Sequence, residues 1–421
     1  MPRVLLLLPT TTYRSADFLA AARRLGVEVT VGTEEPSAAQ GMAGDGLATI
    51  EFRDPETAAR TAVRLAGKTP FDAVIGVDDE TEVAAAEIAR ALGLRHNSRP
   101  SAEAARHKPS MRGALESAGV RVPRFAVFPA DHDPVGVALA VSYPCVLKPT
   151  FLAASRGVIR ANDPEELVEA WARIGAILRD PDVIRRGGRY AGEILVEEFV
   201  PGPEVALEGL LESGALRVLA IFDKPDALDG PFFEETIYVT PSRLPAELQR
   251  EVESAAASAA RALGLTEGPV HVELRASPSG VFVIEAAARS IGGLCSRTLR
   301  FGTGLSLEEL ILRRALGMPA EAARESPAAG VMMIPIPRAG TLARVEGLED
   351  ARAVPGIVEA TITIRPGQEL VPLPEGWRYL GFLFSRAETP EDAERALREA
   401  HRKLTFEITS PQREGSYFPG E

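Results

Sequence analysis

Glu273 and Glu285 flank a short turn in the stretch His271-Val272-Glu273-Leu274-Arg275 … Val283-Ile284-Glu285-Ala286-Ala287-Ala288-Arg289, and a carboxylate pair so placed could hold a divalent cation. Both arms alternate apolar and polar residues with period two, and Ser277-Pro278-Ser279-Gly280 reads as a turn, so the segment is expected to fold as an antiparallel hairpin. Pivoting on Ser279 makes the two glutamates direct cross-strand neighbours. Like charges so opposed destabilise a sheet by up to ~1 kcal/mol unless something neutralises them. The same pivot places Val272, Leu274, Phe282, Ile284 and Ala286 on one apolar face, and His271, Glu273, Arg275 and Glu285 on the other. A one-residue slip would invert both sets. For the hairpin taken alone, the plainer reading is a solvated sheet face with an arginine beside each glutamate.

Cations are distributed unevenly. Of 47 basic residues, 42 are arginines and five are lysines: Lys68, Lys108, Lys148, Lys224 and Lys403. In a chain so biased, lysine is expected where a compact ammonium does what a planar guanidinium cannot. Lys148 ends the apolar run Tyr143-Pro144-Cys145-Val146-Leu147, so its charge should face whatever the following loop encloses. Lys224 follows a strand in Ile221-Phe222-Asp223-Lys224-Pro225. Lys108 stands near a helix start, where a cation opposes the helix dipole and needs another reason to be there. His271, on the polar face beside Glu273, either contacts substrate or orients the carboxylate. Cys145 and Cys295 sit in apolar or glycine-flanked stretches without metal-ligand spacing and are expected to pack rather than react.

These residues need a large scaffold, and 421 residues suffice for two to four domains. Composition is that of a globular protein, with 45% hydrophobic and 25% charged residues. A net charge of −12 argues against nucleic-acid or anionic-membrane partners, both of which need a basic footprint. Two cysteines give no disulfide framework, which fits a reducing cytoplasm. The opening Met1-Pro2-Arg3-Val4-Leu5-Leu6-Leu7-Leu8-Pro9 is too short for a signal peptide and is read as a buried first strand. Nothing approaches the ~18 to 20 consecutive apolar residues of a membrane span.

The first hundred residues alternate strand and helix: Val4 to Leu8, Ser15 to Leu25, Val27 to Val31, Pro55 to Leu65, Ala73 to Val77 and Thr81 to Leu92. That βαβ pattern predicts a Rossmann-like parallel sheet. The turn Pro9-Thr10-Thr11-Thr12-Tyr13 lacks glycine, so the dinucleotide fingerprint is absent. A polar stretch, Arg95 to Lys108, leads to a helix at Met111 to Ala118 and strands at Phe125 to Phe128 and Pro144 to Lys148. A loop at Pro149 to Gly157, a helix at Pro164 to Leu178 and a strand at Ile194 to Phe199 follow. Strands then dominate from Glu204 to Tyr238, before an alanine-rich helix, Leu244 to Leu263, and the hairpin. After a helix near Leu307 to Leu316 and a linker at Met318 to Ala329, the remainder reads as a small α+β unit. The expected fold class is therefore multidomain, α/β followed by α+β.

Taken in order, the segments around Lys108, Lys148, Val196 to Glu204 and Glu273 to Arg289 resemble the ATP-grasp superfamily over nearly the whole chain. The resemblance implies an N-terminal pre-ATP-grasp domain at 1–107 and a small subdomain carrying a phosphate flap at 108–199. It further implies a large subdomain with the metal site at 200–318 and a C-terminal domain at 330–421. By the same resemblance Lys108 and Lys148 reach the phosphates of ATP, and Ser155, in the loop Thr150 to Val158, belongs to the flap over them. Glu197, Glu198 and Val200 occupy the adenine hinge, where the Glu198 carbonyl and the Val200 amide match the edge of the base, and Glu204 falls where the family binds ribose. Glu273 and Glu285 take the place of the magnesium ligands, for two ions in the family's usual arrangement, with manganese as the substitute. Ala287 stands where a common version of the motif has asparagine. Arg289 matches the active-site arginine, whose fork suits an acyl-phosphate oxygen and a tetrahedral oxyanion. Gly292 and Gly293 are expected to line the acceptor pocket, together with Lys224 and His271.

Within the superfamily the Glu-x-x-x-Arg-x-x-Gly-Gly run and the segments Val331 to Pro337 and Gly356 to Ile364 look most like the L-amino-acid ligase (dipeptide synthetase) branch. The implied activity is that of an ATP-dependent carboxylate-amine ligase working through an acyl phosphate on small-molecule carboxylate and amine substrates. The alternatives are an enzyme like glycinamide ribonucleotide synthetase or biotin carboxylase, and a non-catalytic ATP-binding module. Related folds make a homodimer the oligomeric state to consider.

Overall fold

In the computed structural model, which describes residues 1–10, 12–35, 46–302, 304–321, 323–325 and 327–410, the chain begins with a four-stranded parallel sheet. Thr11 of the expected first turn, Ala322 and Ser326 of the expected linker, and residues 411–421 lie outside the described residues. The sheet order is Leu47–Thr49, Glu28–Thr33, Arg3–Leu7, Ala73–Gly76. Arg3–Leu7 is covered on both faces: Val4, Leu6 and Leu8 enter one core cluster, Leu5 and Leu7 another. That is why its sequence is a continuous apolar run. The chain builds outward from this strand and then returns to its other side, so a topological switch lies between Arg3–Leu7 and Ala73–Gly76. Such a crevice at the carboxyl ends of parallel strands is where open α/β sheets bind ligands.

A polar segment missed as a helix follows. Arg99–Arg106 is helical because Ser98 caps it, accepting from the Ser101 amide, and Pro100 fits its first turn. Its successor, Lys108–Ser117, starts earlier than expected, with Lys108 itself in the first turn. A second, antiparallel sheet then forms in the order Phe125–Pro129, Glu193–Glu198, Cys145–Pro149, Ile159–Ala161. The helix Pro164–Leu178 covers it through Leu167, Ala170, Trp171 and Ile174.

The largest sheet has eight strands, in the order Gly280–Ala287, Gly268–Ser277, Glu204–Glu212, Ala215–Asp223, Ile237–Thr240, Ala328–Ile334, Gly381–Ala387, Ile357–Ile362. Its last three strands come from the C-terminal stretch, so the sheet runs unbroken across the expected linker. The helix Ala246–Ala262 packs on the sheet through Val252, Ala256, Ala259 and Ala260, whose small side chains allow close approach. A separate three-stranded sheet, Glu369–Leu370, Gly340–Glu346, Thr405–Thr409, finishes the fold.

The hairpin pairs Glu273 with Glu285 as its pattern requires, but a β-bulge follows, so Leu274 opposes Val283 rather than Ile284. The expected apolar face is corrected accordingly. Val281 and Val283, not Phe282 and Ile284, join Val272, Leu274 and Ala286 in the core. Ile284 is the extra residue of the bulge. Its carbonyl accepts from Arg112 Nη2 at 2.6 Å, which satisfies a backbone group displaced from the ladder.

Candidate active site

One deep cavity lies between the carboxyl edge of the parallel sheet, the small antiparallel sheet and the hairpin end of the large sheet. It is lined by Lys108, Lys148, Ser155, Glu197, Glu198, Val200, Glu204, His271, Glu273, Glu285, Arg289, Gly292 and Gly293. Lys224, alone among the expected site residues, is not part of its lining.

On one wall Lys148, next to the last residue of its strand, reaches Glu197 at 2.7 Å, and Arg112 meets the other Glu197 oxygen at 2.5 Å. Glu197 is buried, which alone would push its pKa up, but the two cations overcome that and hold it at about 2. The carboxylate is thus a bracket for Lys148 and for the helix that carries Arg112. Glu198 turns outward to Arg124 at 2.7 Å. Lys108 donates to the Leu152 carbonyl at 2.7 Å and stands 3.5 Å from Glu285. Its place in a first helical turn is explained by that contact: it ties the flap loop to the carboxylate floor. In the flap, Ala154 and Ser155 both adopt left-handed backbone with φ of 54°, a conformation that glycine would enter without cost.

The opposite wall is a network of buried charge. Lys224 lies among Glu204, Glu235 and Glu273 at 2.7, 2.5 and 3.4 Å. Burial would lower the Lys224 pKa, yet these three carboxylates hold it well above the ordinary value. Lys224 is therefore a fixed counter-charge behind the wall. Glu204 is shared with Arg275 Nε at 2.8 Å, so both of its oxygens are engaged by cations. Glu235, which the pattern did not single out, is raised to about 7, first by burial and then by Glu273, against the pull of Lys224. His271 bridges Glu208 at 3.1 Å and Glu273 at 3.5 Å. Burial opposes its charge, but the two glutamates lift its pKa to about 9. Of the two roles open to His271, the geometry favours orienting Glu273. Ala287 pairs with His271 across the strands and is buried.

Arg289 forks onto Asp79 at 2.8 and 3.0 Å, and burial, which would lower its pKa, is outweighed by that carboxylate. Asp79 opens the helix Asp79–Leu92 at the switch point of the parallel sheet. Beside it Arg14 is buried and donates to the Val77 carbonyl at 3.0 Å and to Ser290 Oγ at 2.5 Å. The N-terminal sheet thereby positions the arginine expected to act on the substrate. Asp79 was within reach of sequence reasoning, as an acidic residue just past the apolar strand at Ala73 to Val77; Arg14, Arg112, Glu208 and Glu235 carried no local signal. Gly293 has φ of 59°, and a Cβ there would stand 3.3 Å from Phe382, whereas one at Gly292 would meet open space. Cys295 is buried against Met333 at 3.7 Å, and burial raises its thiol pKa.

The ATP-grasp N-terminal domain matches residues 19–96, the ATP-grasp domain residues 141–298, and the L-amino acid ligase C-terminal domain 2 residues 332–409. The chain is an ATP-grasp protein. The L-amino acid ligase structure from Bacillus licheniformis superposes on this ATP-grasp chain with a TM-score of 0.80 at 28% identity, covering 97% of this chain and 99% of that one. Alanine–anticapsin ligase of Bacillus subtilis (strain 168) is 30% identical over 240 residues, which is 52% of this chain and 49% of that protein. The chain spans about half the length of the alanine–anticapsin ligases it matches. N5-carboxyaminoimidazole ribonucleotide synthetase from Thermotoga maritima has a TM-score of 0.72 at 17% identity, covering 97% of this chain and 100% of that one. At that identity the likeness shows the fold alone. Among the described residues no helix is long and apolar enough to cross a membrane.

ATP-grasp enzymes use ATP with divalent metal ions, and the donor set here suits such an ion. Glu204, Glu235 and Glu273 can each offer an oxygen within 4.8 Å of the others, all hard donors. Lys224 lies closer to Glu204 and Glu235 than to Glu273, so Glu273, facing Glu285 across the strand pair, is the carboxylate best placed to share an added cation.

Proposed function

We propose that this ATP-grasp protein is an ATP-dependent carboxylate-amine ligase of the L-amino-acid ligase type. The observation that carries the reading is the convergence in one cavity of Lys108 and Lys148, of Glu273 and Glu285 paired across the hairpin, and of Arg289. Lys148 and Lys108 hold the phosphates, the flap around Ser155 covers them, and the Glu198-to-Val200 strand end receives the adenine, with Glu204 toward the ribose. Glu273 and Glu285 hold one or two magnesium ions, with manganese as a substitute; when bound, the metal offsets charge on the phosphates and polarises the γ-phosphoryl group. A substrate carboxylate oxygen attacks the γ-phosphorus and ADP leaves, giving an acyl phosphate. An amine nitrogen then attacks the acyl carbon, phosphate leaves and the nitrogen loses its proton. Arg289, held by Asp79, faces the oxyanion of that tetrahedral intermediate. The acceptor end lies beside Gly292 and Gly293, with His271 orienting Glu273 and Lys224 fixing the wall behind.

The small-molecule substrates are amino acids in this reading, and the full-length likeness to the Bacillus licheniformis L-amino acid ligase supports it. A phosphate-release screen over amino-acid pairs, repeated with hydroxylamine to trap the acyl phosphate, tests it. Magnesium-dependent phosphate release with a trapped hydroxamate is expected, and Glu285→Gln should abolish both. Bicarbonate-dependent ADP release without an amino acid would point to the carboxylase-like alternative; no hydroxamate from any carboxylate would sink the ligase mechanism.

A further inference from the structure

Between the strands Glu369–Leu370 and Gly381–Ala387 the chain crosses the molecule as an irregular segment, Val371 to Leu380. One side of it grips the phosphate flap. The Gly157 amide donates to the Pro374 carbonyl at 2.8 Å, and Arg156 Nε donates to the Glu375 carbonyl at 2.8 Å. Arg173, on the helix Pro164–Leu178 of the small subdomain, forks onto the Glu375 carboxylate at 2.5 and 3.0 Å. The other side faces the active site, where Trp377 and Tyr379 line the main cavity. Trp377 also lines a second cavity, shared with Ala176, Ile177 and Asp180 of the small subdomain. Trp377 therefore borders open space on two sides, and the segment is a thin wall there, while its end, Tyr379 and Leu380, is anchored in the core.

We propose that this segment is a strap joining the flap to the acceptor end of the cavity, in which Glu375 is a positioning residue for the flap and Trp377 moves with it. The strap depends on nucleotide lying under the flap and not on the ligase chemistry. An exposed ion pair alone contributes little. Here the fork acts together with two bonds accepted by main-chain carbonyls of the same short segment, so it sets which flap position the strap favours. Coupling of this kind is reciprocal: if the strap favours the held flap, a nucleotide that needs the held flap must favour the strap.

The chain has two tryptophans, Trp171 and Trp377, so Trp171→Phe leaves Trp377 as the single tryptophan, excited selectively over tyrosine at the red edge of its absorption. Titrating that protein with magnesium-ADP should shift Trp377 emission with saturation. Glu375→Ala and Arg173→Ala, each in that background, should raise the Kd for magnesium-ADP about two- to fivefold and shrink the emission change. The double variant should be no weaker than either single variant, because both remove one contact. Magnesium-ADP binding with no Trp377 response, or a Kd unchanged in both variants, overturns the strap. No binding at all overturns the nucleotide site and the strap with it. Should Trp171→Phe fold poorly, the unsubstituted protein labelled with 5-fluorotryptophan reports the same movement through its Trp377 fluorine resonance.

Discussion

Glu197 shows how a residue can govern an active site without reacting. Its carboxylate fixes Lys148 and Arg112 together, and both cations are themselves buried. Because its folded pKa, about 2, lies below the ordinary 4.5, its stabilising contribution is complete above 4.5 and is lost as pH falls toward 2. That contribution is about 3 kcal/mol at neutral pH. Glu197→Gln should cost ~3 kcal/mol at pH 7, and the deficit relative to the unsubstituted protein should narrow by ~1 kcal/mol at pH 3.5. Urea unfolding at the two pH values checks this; an equal deficit at both would show that the charge is not what stabilises. Lys148 was legible in the sequence because a charge ending an apolar run has few explanations. Its bracket was not, since Arg112 lies 85 positions from Glu197 and only the fold brings them together. The same distance effect hid Glu235 and Glu208, while the pairing of Glu273 with Glu285 was local and followed from period-two alternation.

At the scale of elements, the hairpin and the flap each depart from regularity where the cavity needs it. The bulge at Ile284 turns that residue and Glu285 both toward the cavity, which strict alternation would forbid. Alternation fixed the face of Glu285 but could not reveal the extra residue, because bulges leave no signature in an apolar run. The flap spends conformational strain differently, placing Ala154 and Ser155 in left-handed backbone while Gly157, with φ of 74°, takes the third such position. Ala154→Gly should therefore stabilise the protein by ~0.5 to 1 kcal/mol, relief of strain exceeding the added freedom of the unfolded chain. Gly157→Ala should act in the opposite direction, since its Cβ would stand 2.8 Å from Pro149 in addition to the φ strain. Thermal unfolding of the two variants checks the pair; equal signs would mean the flap relaxes to accept either residue.

At the scale of the whole molecule, the eight-stranded sheet decides what can fold alone. Composition and strand order in the sequence suggested a C-terminal α+β unit beginning near 330, set off by a linker rich in Ala, Glu and Pro. Strand pairing across that linker could not be read, because register between distant strands leaves no local trace. In the structure Ile237–Thr240 pairs antiparallel with Ala328–Ile334, which pairs with Gly381–Ala387. Ile237 and Val239 share a core with Leu383 and with Leu397 of the helix Pro390–Lys403. A chain ending at residue 318 would strip that cover and leave Ile237–Thr240 as an exposed apolar edge, with its backbone donors and acceptors open to another chain. It would also remove the strap that meets Gly157 and Arg156. Such a chain should aggregate or fail to bind magnesium-ADP, although the residues matched by the ATP-grasp domain, 141–298, remain intact. Solubility, circular dichroism and magnesium-ADP titration of the 1–318 chain measure this. A soluble, folded 1–318 protein that binds magnesium-ADP as tightly as the full chain would show that the shared sheet is a convenience of packing; the shared core around Ile237 and Val239 argues that the two parts fold as one.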